Sequence, residues 1–273
     1  MNMLIVKTDW ELFKAELRKV WSFPILELTL GLVALISITS IMTVQEIVLQ
    51  KNFQAVLTSN IVSSLSSVLN QQILFLGLIS GILISLSFAR DYEQGLMQTL
   101  LSSPISRSTL FLVKFLAVVL PLTIVVWGIN SLTIFLNYYS DTATLFTILG
   151  IVVWALPFMF LAFMFCSGLA TLVALTVKRT IPSALVIMAI TFLTWFMIQL
   201  RSETVGRLAD YVALTPFKAP FIALGHIVGT KYPYGTIEAN LPAWIFVVLS
   251  IVYALIFLIP MYLYFTRRFE IRE

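Results

Sequence analysis

Charged residues, cysteine and histidine are all scarce in this chain. Only 11% of its 273 residues are charged and 60% are hydrophobic, whereas about 25% of the residues in soluble domains are charged. The single cysteine, Cys166, cannot form an intramolecular disulfide, and the single histidine, His226, has no second histidine with which to bind a metal. The low charge and the repeated apolar runs predict an all-α integral membrane protein rather than a soluble domain.

Motifs for nucleotide binding and catalysis are also missing. No Gly-x-x-x-x-Gly-Lys-Ser/Thr loop occurs in the sequence, so the chain lacks the conventional phosphate-binding loop for ATP. Its acidic residues avoid the predicted mid-membrane positions, since Glu27 and Glu46 lie near the two ends of the first apolar run. Ion-coupled carriers need charged groups at such positions. A membrane-embedded enzyme needs a cluster of His, Asp or Glu, or a Ser with a base, near a membrane face, and the chain has one histidine and no mid-membrane acid. Both classes are therefore disfavoured, and we expect no cofactor in this chain.

Six apolar runs are long enough to cross a bilayer, and together they predict one transmembrane domain over residues 1–273. They are residues 24–43, 68–89, 109–136, 145–177, 181–200 and 242–265. An even number of spans places both termini on one side of the membrane. If that side is the cytoplasm, the Lys and Arg residues left outside are Lys51, Arg201, Arg207, Lys218 and Lys231, out of 17. The positive-inside rule therefore predicts cytoplasmic termini, and it explains the net charge of +4 without a nucleic-acid partner.

Two segments outside the spans have patterns of their own. Residues 1–23 predict an amphipathic helix in the membrane interface, with an apolar face formed by Trp10, Phe13, Leu17 and Val20. This helix would be either a simple anchor on anionic lipid or an elbow that also contacts a cytoplasmic partner. Residues 201–241 predict an extracellular loop or a re-entrant element, with a short helix within 216–229. That helix would be either a lid over an exit path or a cap on a dimer. We interpret His226, within it, as an ordinary interface residue.

Proline and glycine predict bends and close contacts within the spans. Pro121 should bend the third span, while Pro157 and Gly168 predict that the fourth is kinked or broken. Gly77 and Gly81 lie four residues apart, so another helix can approach them closely. That helix could belong to the same subunit or to a second one.

The polar segment, residues 90–107, separates the second and third apolar runs. Its apolar residues recur at helical spacing, at Tyr92, Leu96, Leu100 and Leu101. Asp91 is placed to cap the start of this helix, Pro104 cannot continue it, and Ser106 can cap the next. The sequence predicts a short cytoplasmic helix and a sharp turn before the third span. Joined to two spans, such a helix would transmit movement to or from a soluble partner.

The polar segment and its flanks resemble the ABC transporter type-2 permease family. The family pattern has an aromatic residue, acidic residues, Glu-x-Gly, two leucines, a proline, an arginine and a lysine seven positions later. The matching positions are Phe88, Asp91, Glu93, Gly95, Leu100, Leu101, Pro104, Arg107 and Lys114. Residues 214–217, Leu-Thr-Pro-Phe, also resemble a short element of the family's outer loop.

The resemblance implies the permease subunit of an ATP-driven exporter. Residues 90–107 would form the coupling helix, which docks on a separate ATP-binding subunit that carries ATP and Mg. Glu93 would pair with that subunit, Gly95 would allow close backbone approach, and Arg107 and Lys114 would lie at the level of the lipid phosphates. Leu100 and Leu101 would pack the helix against the spans. Two permease chains, identical or related, would pair.

The cargo and the cell type are less sharply indicated. An apolar pathway between subunits would favour an amphipathic or hydrophobic cargo such as a lipid, drug or peptide. The compact loops and the missing Asn-x-Ser/Thr sequon favour a prokaryotic plasma membrane. A membrane scaffold that recruits a soluble protein without moving cargo is the alternative function.

Overall fold

The computed structural model of the protein describes residues 2–22, 24–48, 61–62, 65, 75, 77–102, 105–138, 142–203, 214–216, 218–229 and 241–267. Within these residues the chain is helical and contains no strand. The helices are α1 Asn2–Val20, α2 Ile25–Val48, α3 (residues 77–84), α4 Arg90–Glu93, α5 Leu96–Ser102, α6 Arg107–Tyr138, α7 Thr142–Val177, α8 Thr180–Glu203, α9 Ala219–Ile227 and α10 Ala243–Arg267. A five-residue π-helix, Ser85–Ala89, joins α3 to α4.

Three described helices are long and apolar enough to cross a membrane. They comprise Arg107–Tyr138, Leu145–Val177 and Ala243–Arg267, and they coincide with the third, fourth and sixth predicted runs. A fourth candidate is the pair Trp10–Val20 and Ile25–Ile38, which is bent by 68° between its two parts. This bend separates the predicted interfacial helix from the first predicted span.

The remaining two predicted spans are only partly represented. The second run begins outside the described residues and enters them at α3. The fifth run corresponds to α8, whose described apolar part, Thr180–Leu193, is shorter than a full span. The count of six spans therefore stays a prediction, and the described residues establish three or four candidates.

Polar side chains join the long helices at several buried points. Trp21, just after α1, donates its indole N–H to the Ala117 carbonyl of α6 at 2.9 Å. Trp127 of α6 donates in the same way to the Val152 carbonyl of α7 at 2.8 Å. A Trp side chain has a large apolar surface and one hydrogen-bond donor, the indole N–H. Each of these contacts therefore joins two segments of the chain and leaves the indole donor paired.

The fourth predicted span is one unbroken helix, α7, although Pro157 lies inside it. Gly168 lies at the contact between α7 and α10, where an added Cβ would be 3.2 Å from the Cβ of Phe257. The fourth predicted span is therefore not broken, and the kink that the sequence also allows stays a prediction. Gly168 has a packing role instead, because its missing side chain lets α10 approach. Pro121 likewise lies within the continuous helix α6.

The predicted extracellular segment, residues 201–241, contains the short helix that the sequence predicts, α9. Most of its side chains are buried, and it packs against α7 and α10. Tyr253 of α10 donates its hydroxyl to the Leu214 carbonyl at 2.8 Å, and the His226 ring stacks on Phe246 at a centroid distance of 5.7 Å. Residues 204–213, 217 and 230–240 of the predicted loop lie outside the described residues.

Gly77 and Gly81 contact α8 of the same chain. An added Cβ at Gly77 would lie 2.2 Å from Thr191 Cγ2, and one at Gly81 would lie 2.7 Å from Ile187 Cγ2. The two helices can approach this closely only because glycine has no side chain at these positions. Of the two alternatives left open by the sequence, packing within the subunit is the one observed.

This contact gives a first testable prediction. Gly77→Ala should destabilise the protein by about 1–3 kcal/mol, because overpacking forces α3 and α8 apart. The matched control is Gly31→Ala in α2, where no atom lies within 4 Å of the added Cβ. That change should be neutral or slightly stabilising, since alanine favours helix. Thermal unfolding in detergent compares the two variants, and equal midpoints would contradict the close contact.

Candidate functional site

The polar segment is two short helices separated by a left-handed turn. Helix continues from the π-helix through α4 to Glu93, turns at Gln94 and Gly95, and resumes as α5. Gly95 has a φ of +72°, a conformation that glycine adopts without steric cost. The glycine therefore permits the break between α4 and α5. Asp91 does not cap a helix as predicted, because it lies inside the continuous helical run and its carboxylate is used elsewhere.

Asp91 belongs to a buried ion cluster formed by Glu16, Lys19, Asp91 and Lys114. Lys114 Nζ donates to Asp91 Oδ2, and also to Glu16 Oε1 at 2.7 Å. Lys19 Nζ donates to Asp91 Oδ1 and lies 3.6 Å from Glu16 Oε2. The four residues come from α1, α4 and α6. The ion cluster therefore joins the amino-terminal helix, the polar segment and the third predicted span.

Lys114 is the central residue of the ion cluster, and its side chain is 0% exposed. Its ammonium also donates to the Ser87 carbonyl at 2.9 Å and lies 5.9 Å from the centroid of the Phe88 ring. Two lysines face two carboxylates, so the formal charge of the ion cluster is balanced. A buried charge is tolerated only when it is paired and hydrogen-bonded in this way.

The position of Lys114 adds a contact role that the family resemblance does not imply. Its ammonium is enclosed by two carboxylates and a carbonyl, and its expected place at the level of the lipid phosphates stays a prediction. Arg107, the other residue assigned to that level, is exposed at the first position of α6. Ser106 caps α6 as predicted, since its Oγ accepts the Thr109 N–H at 3.0 Å.

On its other side the polar segment contacts the turn between α7 and α8. Glu93 Oε2 accepts two hydrogen bonds from Thr180, at 2.7 Å from its hydroxyl and 3.1 Å from its backbone N–H. Lys178 Nζ donates to the Tyr92 hydroxyl at 3.3 Å and lies 4.6 Å from the centroid of that ring. We call these contacts between residues 92–93 and 178–180 the turn contact.

The turn contact places a carboxylate at the first residue of α8. A helix amino terminus has unpaired N–H groups and a positive dipole end, so it favours an anion. The hydrogen bonds from the Thr180 hydroxyl and N–H, together with the nearby Arg179, lower the pKa of Glu93 below its ordinary value. Glu93 is therefore charged at neutral pH. This contact is present above the ordinary glutamate pKa and weakens only as the pH falls through the lowered value.

The remaining predicted site residues divide into packed, exposed and undescribed ones. Leu100 and Leu101 are partly buried and pack against the hydrophobic core, in agreement with their expected position. Pro104 lies outside the described residues. Between residues 93 and 99 all residues except Met97 are exposed, and we call them the exposed face of the polar segment: Glu93, Gln94, Gly95, Leu96, Gln98 and Thr99. Leu96 is 47% exposed there, so a partner could bury it.

The sequence patterns did not predict the contacts made by Glu16 and Thr180, or the buried ion pairs of Lys114. Glu16 lies three residues after Phe13 and four before Val20, on the apolar face of α1. An acidic residue on that face was a signal for a buried cation. Lys114 lies two turns inside an apolar helix, where a charge needs a partner. No comparable signal existed for Thr180.

A surface cavity of about 280 Å³ lies between α3, the π-helix and the start of α8. Its lining is almost wholly apolar and consists of Leu78, Ile82, Ser85, Leu86, Thr180, Ile181, Ala184, Leu185 and Met188. In the part of the chain that the structure describes, no group of three or more His, Cys, Asp or Glu side chains could hold a metal ion.

Comparison with known proteins adds no assignment. The chain matches no protein-family model, and a search of curated proteins finds no significant match. The ion cluster and the turn contact are therefore interpreted from their own geometry.

Proposed function

We propose that this chain is the permease subunit of an ATP-driven exporter, similar to the ABC transporter type-2 permeases. In this proposal it has six spans and cytoplasmic termini in a prokaryotic plasma membrane. It pairs with a second permease, identical or related, and with a separate ATP-binding subunit that carries ATP and Mg. The cargo is an amphipathic or hydrophobic molecule such as a lipid, drug or peptide.

One observation carries the proposal: neighbouring residues connect the polar segment to the helices on both of its sides. Asp91 is bound by Lys19 of α1 and Lys114 of α6, while Glu93 is bound by Thr180 of α8. A load applied to residues 91–93 therefore reaches three helices through hydrogen-bonded contacts. A loop that only connects two spans needs no such contacts.

The exposed face of the polar segment supports the docking of a partner. It presents one carboxylate, two amides and a half-exposed leucine beside a glycine with no atom within 4 Å of an added Cβ. A small apolar centre surrounded by polar groups is the usual composition of a protein interface. We assign Glu93, Gly95 and Leu96 to this interface, and Asp91 to the transmission of movement behind it.

Gentle purification from the native membrane tests the proposal. The tagged full-length chain should retain an ATP-binding-cassette ATPase in stoichiometric amount, identified by mass spectrometry. ATP turnover by the complex should rise when the cargo is added. Absence of an ATPase in several mild detergents would contradict the exporter assignment. A retained protein without nucleotide turnover would favour a membrane scaffold instead.

A further inference from the structure

The π-helix Ser85–Ala89 lies immediately before the polar segment. Its defining bond is the one from the Arg90 N–H to the Ser85 carbonyl, five residues back rather than four. Four of its five side chains are buried. A π-helix within an α-helix accommodates one extra residue and is less favourable than the α-helix around it. It therefore persists where surrounding contacts stabilise it.

Contacts from two neighbouring helices stabilise this π-helix. At its first residue, Ser183 of α8 donates to Ser85 Oγ at 2.8 Å. Near its end, Lys114 Nζ donates to the Ser87 carbonyl at 2.9 Å, and Ser87 Oγ lies 3.4 Å from the Lys114 carbonyl. Lys114 thus contacts both the π-helix and Asp91, one turn further along. The same ammonium fixes the backbone of the π-helix and the side chain that follows it.

We propose that the π-helix is a register switch and that Lys114 holds the polar segment in one of its two registers. If the π-helix relaxed to α-helix, every residue after it would rotate by about 100° and move by about 1.5 Å along the axis. Asp91 would then leave Lys114 and Lys19, and Glu93 would leave Thr180. The ion cluster and the turn contact are therefore formed in one register and broken in the other.

The switch gives the polar segment two discrete positions, which transmission between distant sites requires. It rests on contacts within this chain and not on transport, so it can be tested without an ATPase or a cargo. Failure of the switch would leave the proposed docking role intact. Conversely, a chain with no ATPase partner could still have the switch.

Disulfide cross-linking of the isolated full-length chain tests the switch. All variants carry Cys166→Ala, which removes the one native cysteine. The reporter pair is Glu93→Cys with Thr180→Cys, which joins a residue after the π-helix to α8. The control pair is Ser85→Cys with Ser183→Cys, at its first residue. Adding Lys114→Gln should slow cross-linking of the reporter pair by about fivefold or more, the size of typical two-state coupling, and leave the control pair unchanged.

Deletion of Leu86 separates a switch from a simple loss of structure. The deletion removes the extra residue, so both flanking helices keep their present faces without a π-helix. Reporter cross-linking in the Lys114→Gln background should return to the rate seen with Lys114 present. Equal slowing of both pairs by Lys114→Gln, or no recovery on deletion, would overturn the proposal. If Lys114→Gln does not fold, the deletion alone decides: loss of reporter cross-linking with Lys114 intact overturns the switch, and retention supports it.

Discussion

Replacing Lys114 with methionine should lower the free energy of unfolding by about 3–5 kcal/mol, the usual cost of removing one member of a buried ion pair. Methionine fills a similar volume but donates no hydrogen bond. Asp91, Glu16 and the Ser87 carbonyl would each lose their bond to the Lys114 ammonium. Only Lys19 would remain to neutralise two carboxylates that are almost completely buried. Reversible unfolding in mixed micelles, followed by tryptophan fluorescence, measures the loss.

The same substitution at an exposed lysine is the matched control. Lys14 pairs with Glu11 on α1 at 3.0 Å, with side-chain exposures of 42% and 61%. Exposed pairs contribute about 0–1 kcal/mol, so Lys14→Met should leave stability nearly unchanged. A second control adds Asp91→Asn to Lys114→Met. The double variant should be more stable than the sum of its two single changes predicts, since an unpaired carboxylate is removed. An equal cost for the two lysine variants would show that the ion cluster contributes no more than a surface pair.

Several local patterns predicted the local structure correctly, although the expected Asp91 cap and the expected break in α7 are not observed. Proline and serine near residue 106 indicated where α6 begins, and the Ser106 cap is observed. The glycine pair at 77 and 81 predicted a close helix contact, which depends only on the absent side chains. The three long apolar runs became helices with almost the predicted bounds. The proline, the serine and the apolar runs act on residues next to them, whereas the glycine pair indicated a close contact but not its partner helix, α8.

Contacts between distant segments could not be predicted in the same way. Asp91 and Lys19 are 72 positions apart, and Lys114 and Glu16 are 98 apart. Their meeting depends on how three helices pack, which no periodicity encodes. Glu93 and Thr180, 87 positions apart, are a further example of a contact that the sequence does not predict. The sequence singled out Glu93 for an external partner, whereas its carboxylate also binds the amino terminus of α8.

Reversing the charge at Glu93 should have the largest effect on coupling to the proposed ATPase. Glu93→Lys removes the acceptor of both Thr180 hydrogen bonds and places a cation beside Lys178, Arg179 and the positive end of the α8 dipole. It also reverses the charge offered to a partner. We expect cargo-stimulated ATP turnover to fall by about tenfold or more, within the range of typical coupling between sites. Membrane insertion should be retained, and thermal stability should fall only modestly, because the two lost hydrogen bonds join exposed groups.

Two further variants separate the internal contact from the partner contact. Glu11→Lys makes the same charge reversal at an exposed residue of α1. It removes the ion pair with Lys14 but should leave ATP turnover unchanged. Thr180→Val removes only the hydroxyl that donates to Glu93, so the carboxylate stays charged and available to a partner. If Thr180→Val reproduces the loss seen with Glu93→Lys, the route to α8 carries the coupling. If Thr180→Val retains turnover while Glu93→Lys loses it together with the bound ATPase, Glu93 acts by docking. Normal turnover in Glu93→Lys would exclude both roles, and Asp91 would then be the remaining acidic residue through which the polar segment moves the helices.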